Sequence, residues 1–170
     1  MDSDIRHMEM PLDARVWVFQ AQRKLSPTEA DFVRSDMQDF LSGWAAHGAE
    51  LLAKVAVVYH RFVVVLLDEG HANASGCSID KLTARVNALG TELNNDFLDR
   101  RMVAYMAGSG EVETTSLDDI KQAFDSGLLN EDTVVFNNLV QTRQEFEQQW
   151  KVPLGKSWHA RFAGVKQVQS

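Results

Sequence analysis

Residues 51–67 read Leu-Leu-Ala-Lys-Val-Ala-Val-Val-Tyr-His-Arg-Phe-Val-Val-Val-Leu-Leu, and this stretch decides the fold. It holds two runs rich in β-branched residues, 51–59 and 62–67, separated by His60-Arg61. Such runs favour strands, and so short a gap makes them a hairpin. The second run is apolar at every position rather than at every other one, so both faces of its sheet must be covered. Lys54, His60 and Arg61 interrupt the stretch well short of the ~20 apolar residues that a membrane-spanning helix needs. A buried hairpin is expected, in a protein that does not cross a membrane.

Upstream, Val-Trp-Val-Phe at 16–19 reads as a strand that runs into Ser26-Pro27-Thr28-Glu29. Ser26 can cap a helix there, Pro27 suits its first turn, and Glu29 completes a capping box. Val33, Met37, Phe40, Leu41 and Trp44 follow at spacings of three and four, one buried stripe, with Gly48 as the expected terminator. Downstream, the loop 70–76 leads to Ser78 as the expected cap of a second helix striped by Ile79, Leu82, Val86, Leu89 and Leu93. Residues 102–106 and 112–115 flank Gly108-Ser109-Gly110 as a second hairpin. Ser116-Leu117-Asp118-Asp119 opens a short helix ended by Gly127, 133–136 is a strand, and Thr142-Arg143-Gln144-Glu145 opens a last helix that must stop before Pro153. The order is βαββαβ and then βαβα. This is an α+β chain whose first part has the order of a ferredoxin-like sandwich.

The chain has 170 residues, 45% hydrophobic and 24% charged, with a formal charge of −7. That is enough apolar chain for a packed core, and the acidic balance opposes nucleic acid and anionic lipid at long range. Cys77 is the single cysteine, so an internal disulfide is excluded and no thiolate metal set can form. Nothing in residues 1–12 has the apolar core of a secretory signal. The expected location is the cytoplasm, with no metal and no cofactor.

Three fragments mimic an ATPase: Gly155-Lys156-Ser157, residues 63–69, and Leu41-Ser42-Gly43. A P-loop needs a glycine five positions before Gly155, where this chain has Trp150, and Pro153 removes an amide from the cradle. ATP binding is therefore the weakest functional reading.

Cys77 is the candidate nucleophile, since a thiol beside a helix start feels the positive end of the dipole. His159 and then His71 are the candidate bases, in a small thiol-dependent enzyme. Ser75, Gly76, Ser78 and Asp80 mark the same helix start as a candidate ligand site, because free amides there attract anions. Asn137 and Asn138 offer side-chain amides. Trp158 and Arg161, with Trp150, Phe162, Lys151 and Lys156, form a basic aromatic ending that either docks on the core or presents a stacking surface. No complete catalytic set emerges, so the leading expectation is a non-enzymatic binding or adaptor protein whose partner is another protein or a peptide, its oligomeric state left open.

Several blocks carry a resemblance: Val16-Trp17-Val18-Phe19-Gln20, Ala74-Ser75-Gly76-Cys77-Ser78-Ile79-Asp80, Val135-Phe136-Asn137-Asn138-Leu139-Val140, Trp150-Lys151-Val152-Pro153-Leu154, and Ser157-Trp158-His159-Ala160-Arg161-Phe162. Across residues 14–163 the chain resembles an uncharacterised bacterial family whose members often carry the label "ABC transporter ATPase". That resemblance implies no substrate. Residues 101–136 are weakly similar to a GYF-like peptide-binding module, with Thr114-Thr115 where such modules carry Gly-Pro. The expected organisation is a disordered tail at 1–13, a ferredoxin-like part at 14–100, a GYF-like part at 101–163, and a tail at 164–170.

Overall fold

A computed structural model describes residues 5–166. The elements are β1 (Arg15–Gln20), α1 (Pro27–Ser42), β2 (Ala45–Ala46), β3 (Ala49–Glu50), β4 (Leu52–Val58), β5 (Phe62–Asp68), α2 (Gly76–Leu93), β6 (Met102–Met106), β7 (Val112–Ser116), α3 (Ile120–Asp125), β8 (Val134–Phe136), α4 (Arg143–Gln149), β9 (Lys151–Pro153) and α5 (Ala160–Ala163), with 3-10 turns at Ile5–His7 and Leu154–Lys156. The protein is α+β with antiparallel sheets. Two compact units divide it: the described part of Met1–Leu98 together with Asn138–Glu147, and Asp99–Asn137 together with the described part of Gln148–Ser170. The second unit is therefore not the continuous 101–163, because ten residues inside that span group with the first.

In the first unit β5 lies between β1 and β4, antiparallel to both. The hairpin turns at Tyr59 and His60, both left-handed at φ 55° and 52°. Two positive φ values match the twist of the flanking strands, which is how this turn closes without Gly or Asn. Val55, Val57, Val63, Val65 and Leu67 face α1 and α2 in one apolar cluster with Val33, Met37, Leu82 and Val86. Val16, Ala56, Val58, Phe62, Val64 and Leu66, on the other face, are also buried. The unbroken apolar run thus reflects a sheet buried on both sides.

Ser26 caps α1 with the expected reciprocal box to Glu29. The helix stops at Gly43 rather than Gly48, since residues 45–50 pair as the small β2–β3 hairpin, and His47-Gly48, both at positive φ, form its turn. For α2 the cap is Ser75, and Ser78 is the third residue of its box. Ser75 and Ser78 each hydrogen-bond the other's amide, so the pair was legible and its order was not.

The expected disordered tail at 1–13 needs correction for residues 5–13. Ile5 is 1% exposed, and Arg143, itself 7% exposed, donates to the carbonyls of Ile5, Arg6, Met8 and Met10 and to Glu147. Residues 1–4 lie outside the described residues. In the tail expected at 164–170, Gly164 caps α5 and Val165 packs in the second core, while residues 167–170 lie outside the described residues.

The second unit holds the sheet β7-β6-β8-β9. β6 pairs with β7 and β8, so it is not the fourth strand of the first sheet that a βαββαβ order expects. On the side of β1 away from β5, the described residues place an isolated bridge from Arg15 to Thr142. Tyr105, Ile120, Leu129, Val135, Leu154 and Ala160 build this unit's core.

Candidate functional site

The candidate site is the outer edge of β4. Leu51 sends its N–H to the Trp44 carbonyl, away from the sheet, at 3.0 Å. Successive residues of a strand direct their amides to opposite sides, so Ala53 and Val55 also direct theirs outward. Among the described residues, no hydrogen bond reaches the outward N–H or C=O of either. Val55 is only 5% exposed as a whole residue, its side chain being part of the core against α1 and α2. A groove of about 440 Å³ runs along this edge, lined by Met8, by Gln38, Leu41 and Ser42 from the end of α1, and by residues 50–55. Leu52, 41% exposed, adds an apolar rim. Lys54 and Glu50 are the charged groups of the lining.

The residues expected to act lie elsewhere. Cys77 is exposed in the first turn of α2 and His71 is exposed in the loop before it, both in the first unit. His159 belongs to the second unit. It is 3% exposed, stacked on Trp158 at 3.8 Å between centroids, with Nδ1 2.6 Å from the Ser157 hydroxyl. Burial lowers its pKa to about 4. A general base must reach the proton that it takes. A neutral ring enclosed in this way has a packing role, and Ser157, 2% exposed, is equally shut in.

The Ser75 and Ser78 side chains are spent on their own helix start, where the Ser78 amide binds the Ser75 hydroxyl; Gly76 and Asp80 are exposed. Asn137 accepts from the Trp158 indole, and Asn138 donates to Gln20, contacts internal to the second and first units respectively. Arg161 lies exposed over the Phe162 ring. Trp150 is buried against Phe136 at 4.8 Å, and Phe162 packs on the second core. The aromatic ending therefore docks on its unit.

In Gly155-Lys156-Ser157 the Gly155 amide donates to Glu131 and the Ser157 amide to Leu154. Amides already spent in this way cannot encircle a phosphate. Among the described residues no group of His, Cys, Asp and Glu is placed to hold a metal ion, and no helix is long and apolar enough to cross a membrane.

Sequence reasoning passed over the β4 edge and Arg143. The available signal for the edge was Lys54, a lone charge within the otherwise apolar run 51–58, which is a common mark of an exposed edge. No family model, curated protein or solved structure matches this chain.

Proposed function

We propose that this is a non-enzymatic cytosolic binding or adaptor protein that takes an extended segment of a partner protein along the outer edge of β4. The observation that carries the reading is the pair of outward amides and carbonyls at Ala53 and Val55, opening on the groove beside α1. An added strand satisfies such groups, and the groove walls receive its alternate side chains.

The stretch offers four main-chain groups. At a net ~1 kcal/mol per hydrogen bond they supply about 4 kcal/mol, equivalent to a Kd of about 1 mM. Useful affinity must therefore come from side chains lodged against Leu41, Leu51 and Leu52. Two finer fold readings belong to the same proposal. The all-antiparallel order β1-β5-β4 supports a ferredoxin-like origin for the first unit, and the order hairpin, α3, β8 supports a GYF-like second unit.

The test is Ala53→Pro. Proline removes the outward N–H yet is tolerated on an edge strand, so the variant should keep its circular dichroism spectrum and lose at least tenfold in affinity for peptides selected on the full chain. Unchanged affinity in a folded variant would sink the reading.

A further inference from the structure

We infer that the segment accepted by β4 carries an acidic side chain between two apolar ones, the acid lying against Lys54. This rests on the edge-binding reading above. Lys54 sits between Ala53 and Val55, exposed, with no hydrogen bond or ion pair among the described residues. By the alternation of the strand its side chain emerges on the face opposite α1 and α2, the face of Ala56 and Leu66. A residue directly opposite on an added strand would place its own Cβ about 5 Å away on that same face, where a carboxylate is favoured and a cation repelled. The acidic group nearest in register is Asp68, which pairs with Leu52 and stands diagonal to Lys54, about 7–8 Å off. Its carboxylate already accepts the Gly70 amide.

The partner residues opposite Ala53 and Val55 would project to the other face, toward Leu41 and the end of α1, and this selects apolar side chains there. Glu50 belongs to β3, separated from β4 by Leu51, so it does not stand in register with Lys54.

The same lysine argues against the most symmetric pairing with a second copy of this chain, the one centred on Lys54. The two-fold antiparallel register that pairs Ala53 with Val55 of a second copy sets Lys54 against Lys54. Like charges directly opposed destabilise a strand pair.

The experiment selects phage-displayed random decapeptides on the full chain and measures the Kd of the enriched sequences by fluorescence anisotropy. Enriched peptides should share an apolar–acidic–apolar core, and exchanging its acid for lysine should weaken binding on the order of fivefold. Against Lys54→Glu the preference should reverse. If Lys54→Glu keeps the acidic preference while folded Ala53→Pro loses binding, the charge assignment is wrong and edge binding stands. If Ala53→Pro binds as the parent does, or N-methylation of alternate peptide amides has no effect, edge binding itself is wrong. Failure to enrich any peptide overturns both.

Discussion

His159 has an electrostatic consequence that can be measured away from any activity. Burial holds its folded pKa at about 4, against an ordinary value near 6.5. Between those values the unfolded chain binds a proton that the folded one refuses. Stability should therefore be unaffected above about pH 6.5, decline as the pH falls toward 4, and level off below, by at most on the order of 3 kcal/mol. Urea midpoints across that range should show a shallower decline in His159→Gln than in the parent. This residue was legible in sequence as a histidine among aromatics, but not as a buried one, since burial is set by distant chain. Trp158 and Asn137 are 21 residues apart and meet through one hydrogen bond of 3.2 Å. Nothing in their spacing announces that contact. Arg143 was equally hidden: it occupied a helix start, and the carbonyls that it binds lie some 130 positions earlier.

Elements were easier to read than residues, because caps and stripes are local. The Ser26 box and the stripe through Val33, Met37 and Leu41 are in place, and so is the buried hairpin. Where an element ended elsewhere, competition between two plausible signals explains it, as with Gly43 and Gly48 after α1 or Ser75 and Ser78 before α2. Gly90, inside α2, carries a constraint that no local pattern showed. A Cβ there would stand 2.5 Å from the Asn95 carbonyl oxygen and 3.2 Å from the Phe97 ring. Alanine normally gains up to ~1 kcal/mol over glycine in a helix, but overpacking of this kind costs ~1–3 kcal/mol. Gly90→Ala should therefore lose about 1–2 kcal/mol in urea unfolding, whereas a stabilised variant would show that the loop after α2 yields freely. Open edges are the least legible feature at this scale. That no strand among the described residues flanks the outer side of β4 depends on where every other strand went.

At the scale of the whole molecule, Arg143 joins residues 5–10 to a segment near the other end of the chain, within one unit. Replacing it with alanine deprives four carbonyls of a charged donor, and hydrogen bonds to charged groups contribute ~1.5–3 kcal/mol. Arg143→Ala should lower stability by about 2–3 kcal/mol and speed tryptic cleavage at the exposed Arg6. Unaltered cleavage would mean that other packing holds the segment. The partition of the chain between units was not legible, since residues 138–147 look like an ordinary link between β8 and the last helix. Their place is fixed by Thr142 beside Arg15 and by Arg143 under the N-terminal turn.

That interleaving also imposes an order on biosynthesis. The segment that completes the first unit leaves the ribosome about 50 residues after Leu98, a wait of about 2–10 s at ordinary elongation rates. Throughout that interval Arg15 lacks its bridging neighbour and the N-terminal carbonyls lack their guanidinium. The nascent chain must carry its earliest-made sheet unfinished while most of β6 to β8 is still being translated.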